Sequence, residues 1–254
     1  MAVPSAKSSV PSSAPEVAIR AVLFDWNGTL VKHASSETFS VASLAIDSYA
    51  RRNLGVEAAA GSFGRAFSAV VPPYVPGADE TCPPVTKFVG EAFTWLSWPA
   101  GASDVDACSR LLFAQSTRGT AVYDDARALL GSLAYRGYRV AVVSNTFFPG
   151  TYFQAVVSEL GLQGHIHSFV SSADVGLLKP NPAPFLRALA DLGIEPHDAI
   201  FVGDSLQTDI PGARNAGMRA VLLQRSGRTR DRAGFLVIER LSALTGILGE
   251  GMAP

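Results

Sequence analysis

The chain has 254 residues, 48% of them apolar and 17% charged, with a net charge of −1. That length and apolar content supply a sizeable core, alone or with a smaller insert, and with a near-neutral balance and no basic run nothing points to binding of nucleic-acid phosphates. Cys82 and Cys108 form neither a metal-type pair nor a disulfide framework, and no apolar run reaches membrane-spanning length, so a soluble, cytoplasmic protein is expected.

Residues 1–18 are rich in Ser, Ala and Pro and lack the continuous apolar segment of a secretion signal, so a disordered tail is expected. Ala21, Val22, Leu23 and Phe24 form a short apolar run that reads as a buried strand. It hands over to Asp25 and breaks at Asn27-Gly28. Ligands of open parallel sheets sit at such carboxyl ends, although an Asn-Gly pair also serves an ordinary turn. Residues 35–120 change character. Helices are expected over 36–52, 58–71, 85–96 and 104–115, with Pro72, Pro73, Pro76, Pro83 and Pro84 forcing a loop. With little strand signal, the segment reads as a helical insert.

From Asp124 the pattern is regular. Ala126, Leu129, Leu130, Leu133 and Ala134 lie at helical spacing, Asp124 and Asp125 favour the helix start, and Gly137 stops it. A strand is expected at 138–143, a helix at 153–160 and a strand at 167–171. Asn181 caps a helix with Pro182 at its first position and Gly193 behind its end. A strand at 199–202 runs into Gly203-Asp204-Ser205, followed by a short helix to Gly217, strands at 220–223 and 235–238, and a helix at 241–248. Strands alternating with helices imply right-handed crossovers, a parallel sheet and an α/β fold.

Each apolar strand ends in a polar cluster: Asp25 with Asn27, Ser144 with Asn145, Lys179 with Pro180, and Asp204 with Asp209. A parallel sheet brings these ends to one edge. Three carboxylates, Asp25, Asp204 and Asp209, suit a divalent cation, and Mg²⁺ takes a few carboxylate oxygens with water and phosphate oxygens. Lys179, with hydroxyl and amide donors, suits an anion. Lysine is scarce, with four residues (Lys7, Lys32, Lys87, Lys179) against seventeen arginines, so its presence in this cluster is informative. A carboxylate beside Mg²⁺ and a bound phosphate can act as a nucleophile.

From Arg20 to about Gly249 the chain resembles the haloacid dehalogenase superfamily, whose members are mostly phosphotransferases. Asp25-Trp26-Asn27-Gly28-Thr29 resembles the first motif, Asp-x-Asp-Gly-Thr, and Val143-Ser144-Asn145 the second. Lys179-Pro180-Asn181-Pro182-x-Pro184-Phe185 resembles the third, and Gly203-Asp204-Ser205-x-x-x-Asp209-Ile210-x-Gly212-Ala213-x-x-Ala216-Gly217 the fourth. The resemblance implies a Rossmann-like three-layer core with a parallel sheet over 19–34 and 121–250, and a helical cap inserted at 35–120. It also implies that Asp25 attacks phosphorus, forming an aspartyl-phosphate, while Thr29, Ser144 and backbone amides hold the phosphoryl oxygens with Asn145 nearby. The resemblance further implies that Lys179 neutralises charge and that Asp25, the main-chain carbonyl of Asn27 and Asp204 ligate Mg²⁺, with Asp209 in support or bound through water. The implied partner is a small phosphorylated molecule, not a nucleic acid or membrane, turned over by a monomer or homodimer.

One position departs from the pattern. Phosphatases of this family place a second Asp two residues after the nucleophile as general acid and base, and here that residue is Asn27. An amide hydrogen-bonds but delivers no proton at neutral pH, and losing general acid–base help costs about a hundred- to ten-thousand-fold in rate. Three readings follow: a slower phosphatase, other chemistry of the dehalogenase or phosphonatase branches, or a weakened binding or regulatory protein. Trp26 is expected to turn away from Asp25 into the packing. Lys32 and His33, and Arg51, Arg52, Arg65 and Arg118 in the insert, are lesser substrate candidates; His165, His167 and His197 show no ligand spacing. No Gly-x-Ser-x-Gly, Walker-type loop or Gly-x-Gly-x-x-Gly occurs, so esterase, NTPase and dinucleotide readings have no support.

Overall fold

β1, Ala21–Phe24, is buried at every residue, as an apolar run covered on both faces must be. A computed structural model describes residues 19–32, 38–72, 80–225 and 234–249. The expected tail at 1–18, together with His33, Pro73 and Pro76, lies outside them. After β1 come β2 (Val31–Lys32), α1 (Thr38–Tyr49), α2 (Ser62–Val70), α3 (Val85–Trp95), α4 (Ala102–Ser116) and β3 (Ala121–Val122). The second half runs α5 (Asp124–Tyr135), β4 (Arg139–Ser144), α6 (Phe153–Glu159), β5 (Ser168–Ser171), α7 (Ser172–Val175), α8 (Ala183–Leu192), β6 (Ala199–Gly203), α9 (Asp209–Asn215), β7 (Arg219–Leu223), β8 (Leu236–Ile238) and α10 (Leu244–Ile247).

The main sheet is parallel throughout, in the order β5-β4-β1-β6-β7-β8. Counted along this sheet's own strands, that is the doubly wound Rossmann order, which reverses between β1 and β6 and leaves a crevice there. Alternation along β1 sends Val22 and Phe24 to one face and Ala21 and Leu23 to the other. The first face packs on α5, α6 and the end of the chain around Leu241 and Leu244; the second packs on α8 through Phe185, Ala188 and Leu189 and on α9 through Ala213. Helices on both faces make the three layers.

Several boundaries differ from expectation. The first expected helix ends at Tyr49 and passes into a π-helical turn, Ala50–Leu54, closed by Gly55. The last expected helix is a 3-10 turn, Leu241–Ala243, followed by the four-residue α10. Pro182 lies just outside α8, where Asn181 Oδ1 accepts from the Ala183 amide at 3.0 Å. The antiparallel ribbon of β2 and β3 was not expected, because strands of two residues each are too short to show alternation.

The helical segment between β2 and β3 shares its core with the sheet's first face. Phe67 and Phe88 meet Phe147 at 6.1 and 6.0 Å between ring centroids, and Phe113 meets Phe148 and Phe153 at 5.1 and 4.9 Å. Burying one such phenylalanine contributes roughly 1.5–3 kcal/mol, so this contact is a major part of the packing. Cys82 and Cys108 are free thiols and buried. Among the described residues no helix is long and apolar enough to cross a membrane.

Candidate active site

The crevice between β1 and β6 collects the polar strand ends. Asp25 follows β1 directly, and its amide donates to Val202 of β6 at 3.0 Å, so the two strands stay in register up to the acid. The chain turns at Gly28, which has a φ of 79°, and a Cβ there would overlap Asp204 Oδ2. A glycine is therefore required on two counts, left-handed backbone and close approach. Across the crevice, a Cβ on Gly203 would overlap the carboxylate of Asp209.

Lys179 is the centre of the cluster. It is 2% exposed, and its Nζ lies 2.7 Å from Asp25 Oδ1, 2.7 Å from Asp209 Oδ1 and 2.9 Å from the Val143 carbonyl. It donates to Asp25 Oδ1 and the Val143 carbonyl and pairs by charge with Asp209 Oδ1, which fixes the ammonium and compensates its burial. Asn145 fixes the backbone behind it: its Oδ1 accepts from the Lys179 amide at 2.7 Å and its Nδ2 donates to the Lys179 carbonyl at 3.0 Å. Asp209 is held by its second oxygen, which accepts from the Ser205 amide at 3.0 Å.

Burial is the largest influence on Asp25 and raises its carboxyl above the usual range; Lys179 pulls it down, while Asp209 and Asp204 add to the rise. Burial also disfavours the charged lysine, but the carboxylates of Asp209 and Asp25 outweigh it and hold Lys179 protonated. With Asp25, Asp204 and Asp209 all ionised, one ammonium leaves a surplus of two negative charges, and repulsion from Asp209 and Asp204 is part of what raises Asp25. Ligand oxygens of Asp25, Asp204 and Asp209 all lie within 4.8 Å of one another. Hard oxygen donors with that surplus fit a divalent cation.

Thr29 is fully buried, and its Oγ1 has no hydrogen-bond partner among the described residues. Ser144 is buried at the last position of β4. Asn27 is exposed at the rim, where the turn closes through a hydrogen bond from the Gly28 amide to the Val31 carbonyl at 2.8 Å. Trp26 is turned into the core, edge-on to Phe153 and Phe169. Of the lesser candidates, Lys32, Arg51 and Arg65 have contacts of their own. Lys32 sits 5.6 Å over the Tyr123 ring, Arg51 bonds Ala58 and Ser48, and Arg65 bonds Ala60 and Ser62. Among the described residues no histidine joins a metal-type group; His167 Nδ1 accepts from the Val140 amide at 3.1 Å.

Sequence reasoning missed Arg225. Its guanidinium donates to the carbonyls of Gly28 at 3.3 Å and Thr29 at 2.9 Å, pairs with Asp125 at 3.0 Å and stacks 3.7 Å from the Tyr123 ring centroid. It thus clamps the turn after Asp25 from behind. It lies beyond the last motif, after β7, and no spacing signal points to it.

An open α/β sheet thus carries an ammonium and three acids at its switch point, where ligands of such sheets bind. The family model for haloacid dehalogenase-like hydrolases matches residues 19–217, and the chain belongs to that family. It is 36% identical over 119 residues to phosphoserine phosphatase of Thermus thermophilus, covering 47% of each chain. It is 30% identical over 229 residues to phosphoglycolate phosphatase 1 of Pseudomonas aeruginosa, covering 89% of this chain and 78% of that one. The match thus spans about half the length of the first relative. A haloacid dehalogenase-type phosphatase from Thermococcus onnurineus superposes with a TM-score of 0.61 at 25% identity, over 92% of this chain and 100% of that one.

Proposed function

We propose that the protein is a Mg²⁺-dependent phosphatase that hydrolyses a small phosphorylated metabolite through a phosphoryl-Asp25 intermediate. The observation that carries the reading is the seating of Lys179 Nζ against Asp25, Asp209 and Val143 at the switch point. Asp25 and Asp204 would ligate the cation with the Asn27 carbonyl, and Asp209, spent on Lys179 and Ser205, would support it or reach it through water. Bound Mg²⁺ supplies charge neutralisation at the phosphoryl group and orients it.

Asp25 attacks phosphorus in line as the ester oxygen departs, giving an acyl phosphate and an alcohol. Lys179 balances charge on the nucleophile and the transferring group, while Thr29 Oγ1, Ser144 and the neighbouring amides donate to the phosphoryl oxygens. Water then attacks phosphorus, restores the Asp25 carboxylate and releases phosphate. Asn145 acts on this step through the Lys179 main chain. Asn27 offers the leaving group a hydrogen bond but no proton, so the departing oxygen has to take its proton from solvent.

The helical segment at 35–120 is proposed as the cap over this site, and 19–34 with 121–250 as the catalytic unit. Relatives named for phosphoserine and phosphoglycolate make small phosphorylated acids the first compounds to try. The test is a panel of phosphorylated metabolites with and without Mg²⁺, using Asp25→Asn as control. Mg²⁺-dependent phosphate release lost in the variant supports the reading. Halide release from haloacids instead would favour the dehalogenase chemistry that the missing second Asp allows, and tight binding without turnover would favour a binding protein.

A further inference from the structure

The loop that carries Lys179 is held from two sides, and only one belongs to the sheet. On the sheet side Asn145 grips the main chain of residue 179. On the other side stands residues 80–82 of the helical segment. The Leu178 amide donates to the Glu80 carbonyl at 2.6 Å, Thr81 and Leu177 form an antiparallel bridge, and the Cys82 amide donates to the Gly176 carbonyl at 2.8 Å. The Glu80 side chain adds a bond the backbone ladder does not supply: its Oε2 accepts from Asn181 Nδ2 at 2.8 Å. Asn181 meanwhile caps α8 with its Oδ1. The strip is fastened further by Cys82 Sγ, 3.2 Å from Ser172 Oγ, which in turn bonds both the amide and the carbonyl of Thr146.

We propose that Glu80 is a positioning residue for Lys179: the inserted helical segment, through its 80–82 strip, helps set the loop that brings the ammonium to Asp25. This rests on the catalytic reading of Asp25 and Lys179. The strip runs through Pro83 and Pro84 into α3, and the Val85 amide donates to the Phe147 carbonyl at 2.7 Å. A shift of the segment on the sheet therefore has either to break this ladder or to move residues 176–181. Cover and ammonium are mechanically linked, and a segment displaced by an ill-fitting substrate disturbs Lys179 with it.

The test compares Glu80→Ala, Glu80→Gln and Asn181→Asp with wild type, using p-nitrophenyl phosphate and Mg²⁺, with hydrogen exchange at the Leu178 amide measured in parallel. Gln keeps an acceptor for Asn181 Nδ2. Asn181→Asp keeps the α8 cap oxygen but removes the donor and sets two acids against each other. Because small misplacements of a catalytic group carry large rate penalties, Glu80→Ala and Asn181→Asp are expected to lower kcat by about tenfold with KM little changed. Both should speed exchange at Leu178, Glu80→Gln should retain most of both properties, and Glu91→Ala on the exposed face of α3 should change neither. Wild-type kcat and protection in Glu80→Ala and Asn181→Asp would overturn the proposal, as would a Glu80→Gln protein as impaired as Glu80→Ala. If wild-type protein released no phosphate from p-nitrophenyl phosphate or from the metabolite panel, the phosphatase reading would fall on that control. Exchange at Leu178 would still decide whether Glu80 holds the loop.

Discussion

In the proposed mechanism Asn27 limits the chemistry that the cluster can carry out. With an amide where a proton donor would stand, rates should rise steeply with leaving-group acidity, and a flat series across aryl and alkyl phosphates would contradict the missing-acid argument. Asn27→Asp should raise turnover of alkyl phosphates by about tenfold or more; no gain would mean that another group supplies the proton. Arg225 acts at the same turn from behind. Arg225→Lys keeps the charge but cannot span two carbonyls and a carboxylate with a planar fork, so kcat should fall about tenfold with little change in KM. Unchanged kinetics would show that the clamp on Gly28 and Thr29 is dispensable. Much of the candidate site is legible at this scale, because Asp25 and Asp204 follow strands, Ser144 ends one, and Lys179 shortly precedes the Asn181 cap of α8. The partners of Asn145 and Arg225 are not legible, since both act on main-chain groups far along the chain and no spacing rule encodes that.

At the scale of elements, two contacts hold the architecture around the site. Phe113 of α4 plugs between Phe148 and Phe153, and Phe113→Ala should cost roughly 3–5 kcal/mol in denaturant unfolding. A loss well under 1 kcal/mol would show that helical segment and sheet do not share one core. Asp125 joins α5 to the chain end, accepting from Arg225 and from the Leu241 amide at 2.9 Å. Partial burial opposes its charge, but these bonds outweigh it and hold the carboxyl below the ordinary value. A depressed folded pKa stabilises the protein above the unfolded value and loses that contribution as pH falls through the folded one. Asp125→Asn should therefore cost about 1–2 kcal/mol near neutrality, and the gap to wild type should narrow as pH falls below roughly 4. A gap independent of pH would refute the ion-pair account. The long strands and helices were foreseeable from periodicity. The β2–β3 ribbon and α7 were not, as elements of two to four residues carry too few side chains to reveal a period.

For the whole molecule, strand order explains why residues far apart in the chain converge. The reversal between β1 and β6 opens the crevice, and Asp25 and Asp204 stand at its two sides. Alternating strands and helices made a parallel sheet readable in advance, whereas the seam joining the helical segment to the sheet depends on aromatic contacts that no local pattern announces. In the proposed mechanism Asp25 accepts the phosphoryl group. That step is tested most directly by acid-quenching the protein during turnover of a phosphorylated substrate with Mg²⁺ and analysing the peptide that contains Asp25 by mass spectrometry. A covalent phosphate on Asp25, absent without Mg²⁺ and absent from Asp25→Asn, is the predicted result; phosphate release at the wild-type rate by Asp25→Asn would contradict it.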